Sequence, residues 1–311
     1  MLVNCSCTNA KDNQKSNANN MDKTLYPFQD ESNKWGYMDD EGNVVIKPQY
    51  ASASNFTDNI AVVTIESRHS YKYGYINKAG EVVVPIVYDW AAPYSDNLFF
   101  VKSMKNSRAD HGGETWIYMN ENGETVLELT DKDYYQVWPV NGGFSIVTKG
   151  DGMYCGCIDI TGDYVIQPQY GAMGGFRDGF AWFTSVSDSE SRYGYINKNN
   201  EIVIPEMYEL PGQFSQGVTP VKLNGKWGYI NENNEIIITF MFEEAKSFSE
   251  NVAVVKENGL WGVINHMGEY VLLPQYPNLS DSYNGLFMVQ KNIYDFHYYV
   301  NINGEIIKPK S

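Results

Sequence analysis

The chain has 311 residues, a formal net charge of −15 and an isoelectric point near 4.7. That balance argues against nucleic acid and against docking on an anionic lipid surface, both of which need clustered Lys and Arg. Aromatic residues make up 14% of the chain, which a disordered polypeptide does not carry and which supplies a large core.

Residues 1–24 are expected to form a polar tether, because residues 8–24 are Asn-rich and have no apolar period. Before them, Leu2-Val3-Asn4-Cys5 and Asn4-Cys5-Ser6-Cys7 resemble the end of a bacterial lipoprotein signal, with Cys7 fitting the lipidated position better than Cys5. With a start further upstream, the resemblance implies a periplasmic or surface lipoprotein whose only membrane contact is that lipid anchor. The alternative is a cytoplasmic tail with two incidental Cys. No apolar run approaches the ~18 residues of a membrane helix.

Residues 25–311 are expected to form a single repeat domain. One phrase recurs through them: an aromatic, Gly, Tyr, a branched residue, then Asx. The clearest copies start at Trp35-Gly36-Tyr37, Tyr73-Gly74-Tyr75, Tyr193-Gly194-Tyr195, Trp227-Gly228-Tyr229 and Trp261-Gly262-Val263. Weaker copies are Trp116-Ile117-Tyr118, Cys155-Gly156-Cys157 and His297-Tyr298-Tyr299. The Asx position is filled in every copy, by Asp39, Asn77, Asn120, Asp159, Asn197, Asn231, Asn265 and Asn301, at intervals of 34 to 43 residues. Three residues later stands Gly or Asn. An Asx side chain starts a turn and Gly accepts the positive φ that closes it, so a tight hairpin is expected here.

A second strand follows each hairpin, as in Val44-Val45-Ile46 or Ile202-Val203-Ile204, and Pro48, Pro85, Pro168, Pro205 and Pro274 are expected to end it or to mark a sheet edge. A further turn such as Phe214-Ser215-Gln216-Gly217 leads to a third strand, as in Val252-Ala253-Val254-Val255. The predicted fold is therefore all-β: about eight three-stranded antiparallel meanders. Such units cannot bury both faces alone and must pack on one another, as a β-propeller or as an open β-solenoid.

Lys34-Trp35-Gly36-Tyr37, Lys226-Trp227-Gly228-Tyr229-Ile230-Asn231 and Leu260-Trp261-Gly262-Val263-Ile264-Asn265 resemble the WG-repeat (KWG-type) proteins of bacteria. The resemblance spans roughly residues 25–310. It implies a β-repeat architecture and no common chemistry.

The sequence shows no metal, cofactor or catalytic motif. Cys155 and Cys157 take the aromatic and Tyr slots of one repeat and are expected to be small core fillers. Glu81, Glu124, Asp163, Glu201, Glu235, Glu269 and Glu305 recur after the hairpin Gly or Asn, and are expected to be solvated charges on a hairpin shoulder. Evenly repeated acids do not single out the carboxylate pair of a glycosidase. Departures from the repeat are better site candidates, and Trp90, Tyr134, Tyr135 and Trp138 could stack on sugar or apolar side chains. The expected role is non-catalytic binding or scaffolding of a protein or glycan partner. The alternative is a propeller-type carbohydrate hydrolase or lyase.

Overall fold

The computed structural model describes residues 23–68, 70–104, 113–150, 152–185, 191–292 and 295–310. Cys5, Cys7 and nearly all of the expected tether lie outside these residues. The chain divides into two compact units, residues 1–94 with 309–311, and residues 95–308. Among the described residues there are strands and turns but no helix.

The fold is of the β-propeller class, made of eight small antiparallel sheets. The first unit holds sheet 1 (Tyr26–Gln29, Trp35–Met38, Val44–Tyr50), sheet 2 (Ser52–Ala53, Ile60–Ser67, Ser70–Asn77, Val82–Tyr88) and the short strand Trp90–Ala91. Lys310 also belongs to this unit, and its backbone N–H donates to the Gly42 carbonyl at 2.7 Å. The second unit opens with Phe99–Met104, Glu114–Met119 and Thr125–Thr130 of sheet 3. Sheet 4 is Gln136–Val137, Ser145–Lys149, Tyr154–Ile158 and Tyr164–Tyr170, and sheet 5 is Ala172–Met173, Phe180–Thr184, Tyr193–Asn197 and Ile202–Tyr208. Sheet 6 is Leu210–Pro211, Val218–Leu223, Lys226–Asn231 and Ile236–Phe242, and sheet 7 is Glu244–Ala245, Val252–Glu257, Leu260–Asn265 and Tyr270–Tyr276. Sheet 8 is Leu279–Tyr283, Leu286–Asn292, Asp295–Asn301 and Ile306–Ile307.

The three-stranded unit is thus corrected to a four-stranded one. In sheets 2 and 4 to 7 the added strand is only two residues long, too short to show a period of two. The grouping also shifts: the strand expected to close one repeat, such as Val252–Glu257, pairs with the aromatic-Gly strand of the next, Leu260–Asn265. The prolines lie within the last strand of their sheets, the third in sheet 1 (Pro48) and the fourth in sheets 2, 4, 5 and 7, and those strands are sheet edges.

The repeated Gly has a role that differs from a turn. In sheet 5, Tyr193 faces Tyr208 and Tyr195 faces Ile204, so two steps on one strand oppose four on the other. The surplus residues of the edge strand bulge across Gly194. A Cβ there would lie 2.4 Å from the Ile204 carbonyl oxygen and 2.8 Å from the Pro205 carbonyl carbon. Gly36, Gly74, Gly156, Gly228 and Gly262 meet the same obstruction, with a backbone oxygen at 2.4 to 2.7 Å. Sheet 3 carries Ile117 in this slot and pairs it with Glu128 in unbroken register from Thr115 to Tyr118, so no bulge lies opposite it; the register shifts only beyond, between Tyr118 and Met119.

The core lies between neighbouring sheets. One cluster combines Tyr195, Ile204 and Tyr208 of sheet 5 with Val221 and Ile230 of sheet 6 and with Phe214 of the turn between that sheet's first two strands. The motif Tyr crosses the same seam. Tyr37, Tyr75, Tyr118, Tyr195 and Tyr229 are fully buried, and their hydroxyls donate to the carbonyls of Ser54, Ala92, Trp138, Gly212 and Lys246 at 2.7 to 3.0 Å. Each acceptor directly follows the short first strand of the next sheet, so the phenol satisfies a carbonyl beyond the ladder. Cys155 and Cys157 sit in the core between sheets 4 and 5, as expected of apolar fillers, and burial pushes the Cys157 thiol up to about 11.

Candidate functional site

The repeated acids prove to be part of the hairpins. In sheet 5 the Asn197 Oδ1 accepts the N–H groups of Asn199 and Glu201, while its Nδ2 donates to the Glu201 carboxylate at 2.6 Å. Asn77–Glu81, Asn120–Glu124, Asn231–Glu235, Asn265–Glu269 and Asn301–Glu305 repeat the bond. The first hairpin swaps the partners, and the Asn43 amide donates to Asp39 at 3.0 Å. These carboxylates are local clasps in addition to being surface charges.

Asp39 is the one clasp residue that is buried, and Lys23 donates to it at 2.8 Å. Burial alone would raise its pKa, but the hydrogen bonds from Lys23 and Asn43 outweigh it and hold the carboxyl at about 2, against an ordinary 3.8. A depressed folded value means stability that is complete above about pH 4 and lost as pH falls towards 2. Asp39→Asn, which installs the residue of six other hairpins, is expected to remove about 1–2 kcal/mol of this acid-sensitive stability. Urea midpoints at pH 6 and pH 3 check it: the gap between variant and parent should shrink at the lower pH, and a gap of constant size would refute the assignment.

A second set of turns builds a cavity. Between the first two strands of sheets 2 to 8 runs a two-residue hairpin with both central residues at positive φ, such as Gln216 (56°) with Gly217 (80°) and Glu250 (54°) with Asn251 (66°). This is the type I′ geometry that matches strand twist. Gln216 and Glu250 tolerate it while their side chains bond the following turn: Gln216 Oε1 accepts from Asn251 N–H at 3.1 Å, and the Glu250 carboxylate accepts from Asn284 and Gly285 N–H at 2.7 and 2.9 Å. Ser282 Oγ also donates to Glu250. Asp178 likewise accepts from Gly217 N–H at 3.3 Å. The turns of sheets 5 to 8 are thereby strapped together.

Inside the second unit these turns line a polar depression of about 600 Å³. Asn141, Arg177, Gln213, Ser215, Lys246 and Asp281 contribute polar groups, over a floor that includes Phe214 and Phe248. Lys246 is held, donating to the Leu279 carbonyl at 3.0 Å and lying 3.4 Å from Asp281. His266 stacks on Phe248 at 3.9 Å, with its Nε2 3.3 Å from Gln216. The side chains of Arg177, Ser215 and Asn141 make no hydrogen bond or ion pair with the described residues, and the Gln213 Oε1 is buried without a partner.

None of the four aromatic candidates lines this depression. Trp90 lies in the first unit and is 38% exposed. Tyr134 is buried, its ring 6.3 Å from that of Tyr164. Tyr135 is 64% exposed and packs over Gly152, and Trp138 is 36% exposed. The side chain of His297 and all of His69 and His111 lie outside the described residues. Sequence reasoning read the lining turns only as connections. The available signal was Arg177, in a slot filled elsewhere by Thr57, Ser95, Asn141, Ser215 and Ser249.

No curated protein sequence matches the chain. Among solved structures it resembles the β-propeller domain of the trilobed protease from Pyrococcus furiosus, at 7% identity and a TM-score of 0.53, covering 85% of this chain and 96% of that one. It also resembles apo AztD from Citrobacter koseri, at 9% identity and a TM-score of 0.51, covering 92% and 96%. At such identities the likeness is one of fold. The profile described as "WG containing repeat" matches residues 35–68, 73–106, 156–184, 193–227, 227–261 and 261–292, more than half of the chain, starting at the five clearest copies of the phrase and within Cys155-Gly156-Cys157, so the protein belongs to the WG-repeat family.

Proposed function

We propose that the protein is a non-catalytic binding module that takes a protein or glycan partner through the polar depression formed by the turns of sheets 4 to 8. One observation carries this reading: the acids there are occupied by structure, while neutral and cationic groups are left open. Glu250 accepts two backbone N–H groups and a hydroxyl, and Asp281 lies beside Lys246. A hydrolytic pair needs one carboxyl free to give a proton and another free to receive one. Arg177, Asn141 and Ser215 instead present donors on rigid hairpins, the arrangement of a recognition surface.

A glycan and peptide array, followed by incubation of each captured compound with the protein, tests the proposal. Capture with the compound recovered intact is the expected result. Cleavage that disappears in Glu250→Gln would assign catalysis to this depression and overturn the binding role.

A further inference from the structure

We infer that the depression binds a small hydroxylated anion, a sugar acid or sugar phosphate, with Arg177 holding the charge and the Gln213 amide oxygen accepting from a hydroxyl. This rests on the binding role proposed above and adds the ligand's chemistry.

Arg177 stands where the equivalent turns of sheets 6 and 7 place Ser215 and Ser249, so the hairpin does not need a cation to form. Its neighbour Asp178 makes no ion pair with it, and the Asp178 carboxylate is turned to Gly217 N–H instead. Glu250 is tied to sheet 8 and Asp281 lies beside Lys246. The guanidinium is therefore a fork of donors with no acceptor, suited to a carboxylate or phosphate. The net charge of −15 does not cancel it, since charges beyond about 8 Å are screened at physiological salt.

Gln213 supplies the second half. Its backbone carbonyl accepts from Ser247 Oγ at 2.7 Å, which pins the residue at the wall of the depression. Its side-chain oxygen is a buried acceptor with no donor, a state that costs free energy. Rotation about its last torsion, a broad one, turns the amide towards an incoming hydroxyl and relieves that cost. Ser215 and Asn141 offer further unoccupied polar groups. An anion without hydroxyls leaves the Gln213 oxygen without a donor, and a neutral sugar leaves Arg177 without a counter-charge. A ligand carrying both features meets the whole set.

Calorimetric titration of the full chain with D-glucuronate, D-glucose 6-phosphate, D-glucose and acetate tests this. One of the first two is expected to bind about ten-fold or more tightly than glucose and acetate, and the one that does distinguishes carboxylate from phosphate. Arg177→Ser, which copies the turns of sheets 6 and 7, is expected to lose about ten-fold or more of that affinity. Gln213→Leu is expected to weaken the hydroxylated anion and leave acetate unchanged. Glucose binding as tightly as glucuronate and glucose 6-phosphate, Arg177→Ser without effect, or no binding of any probe would each overturn the inference. In the first of these cases the depression remains a binding site. Conversion of a probe would instead remove the binding role beneath it.

Discussion

Gly194→Ala is expected to cost about 3 kcal/mol or more, read as a fall in the urea midpoint. The added methyl would sit 2.4 Å from the Ile204 carbonyl oxygen, with Pro205 and Glu206 backbone atoms within 2.9 Å. All three obstacles are main chain, so no rotamer change makes room and the edge strand must move off its neighbour. Overpacking of this kind costs about 1–3 kcal/mol where side chains can yield and more where they cannot. Sheet 3 supplies the control. Ile117 already occupies the slot with no bulge opposite it, so the preference reverses there: Ile117→Gly is expected to be about 1 kcal/mol less stable than Ile117→Ala, the usual cost of a strand glycine. An Ala less stable than Gly at both positions would show that the bulge does not set the requirement at Gly194.

Tyr229→Ala should destabilise by about 4 kcal/mol, and Trp227→Ala by distinctly less. Truncating a buried aromatic loses its transfer free energy and leaves a cavity. Tyr229 is fully buried among Ile238, Phe242, Phe248 and Val255, whereas Trp227 is only partly buried at the margin of that cluster. The two side chains stand two residues apart on the strand Lys226–Asn231 and so share a face, and their burial grades them. Tyr229→Phe separates packing from bonding. It keeps the ring and strands the Lys246 carbonyl, for about 1 kcal/mol. A Trp227 variant as damaged as the Tyr229 one would mean that the indole, despite its exposure, holds the seam.

The Asx hairpins were readable because their signal is local: Asn197 and Glu201 are four residues apart, and the bonds that shape the turn close within that span. The same text hid the clasp between the two side chains, since a charged residue on a hairpin shoulder reads as solvation. The depression was hidden for a different reason. Gln216 with Asn251 and Glu250 with Asn284 are 35 and 34 residues apart, and only the stacking of neighbouring sheets brings them together. Arg177 was visible as a departure, but nothing in the string says that its turn faces a cavity.

From its order of residues alone this chain determined an all-β repeat, its hairpins, its strands and its need for neighbours, because strand period and turn chemistry act over a few residues. Tertiary structure alone decided that a two-residue fourth strand completes each of sheets 2 and 4 to 7, that the motif Gly clears a bulging edge strand, and that the motif Tyr bonds across the seam. These are consequences of close packing between segments that sequence spacing keeps apart, where steric room and unmet carbonyls, not local preference, set the outcome.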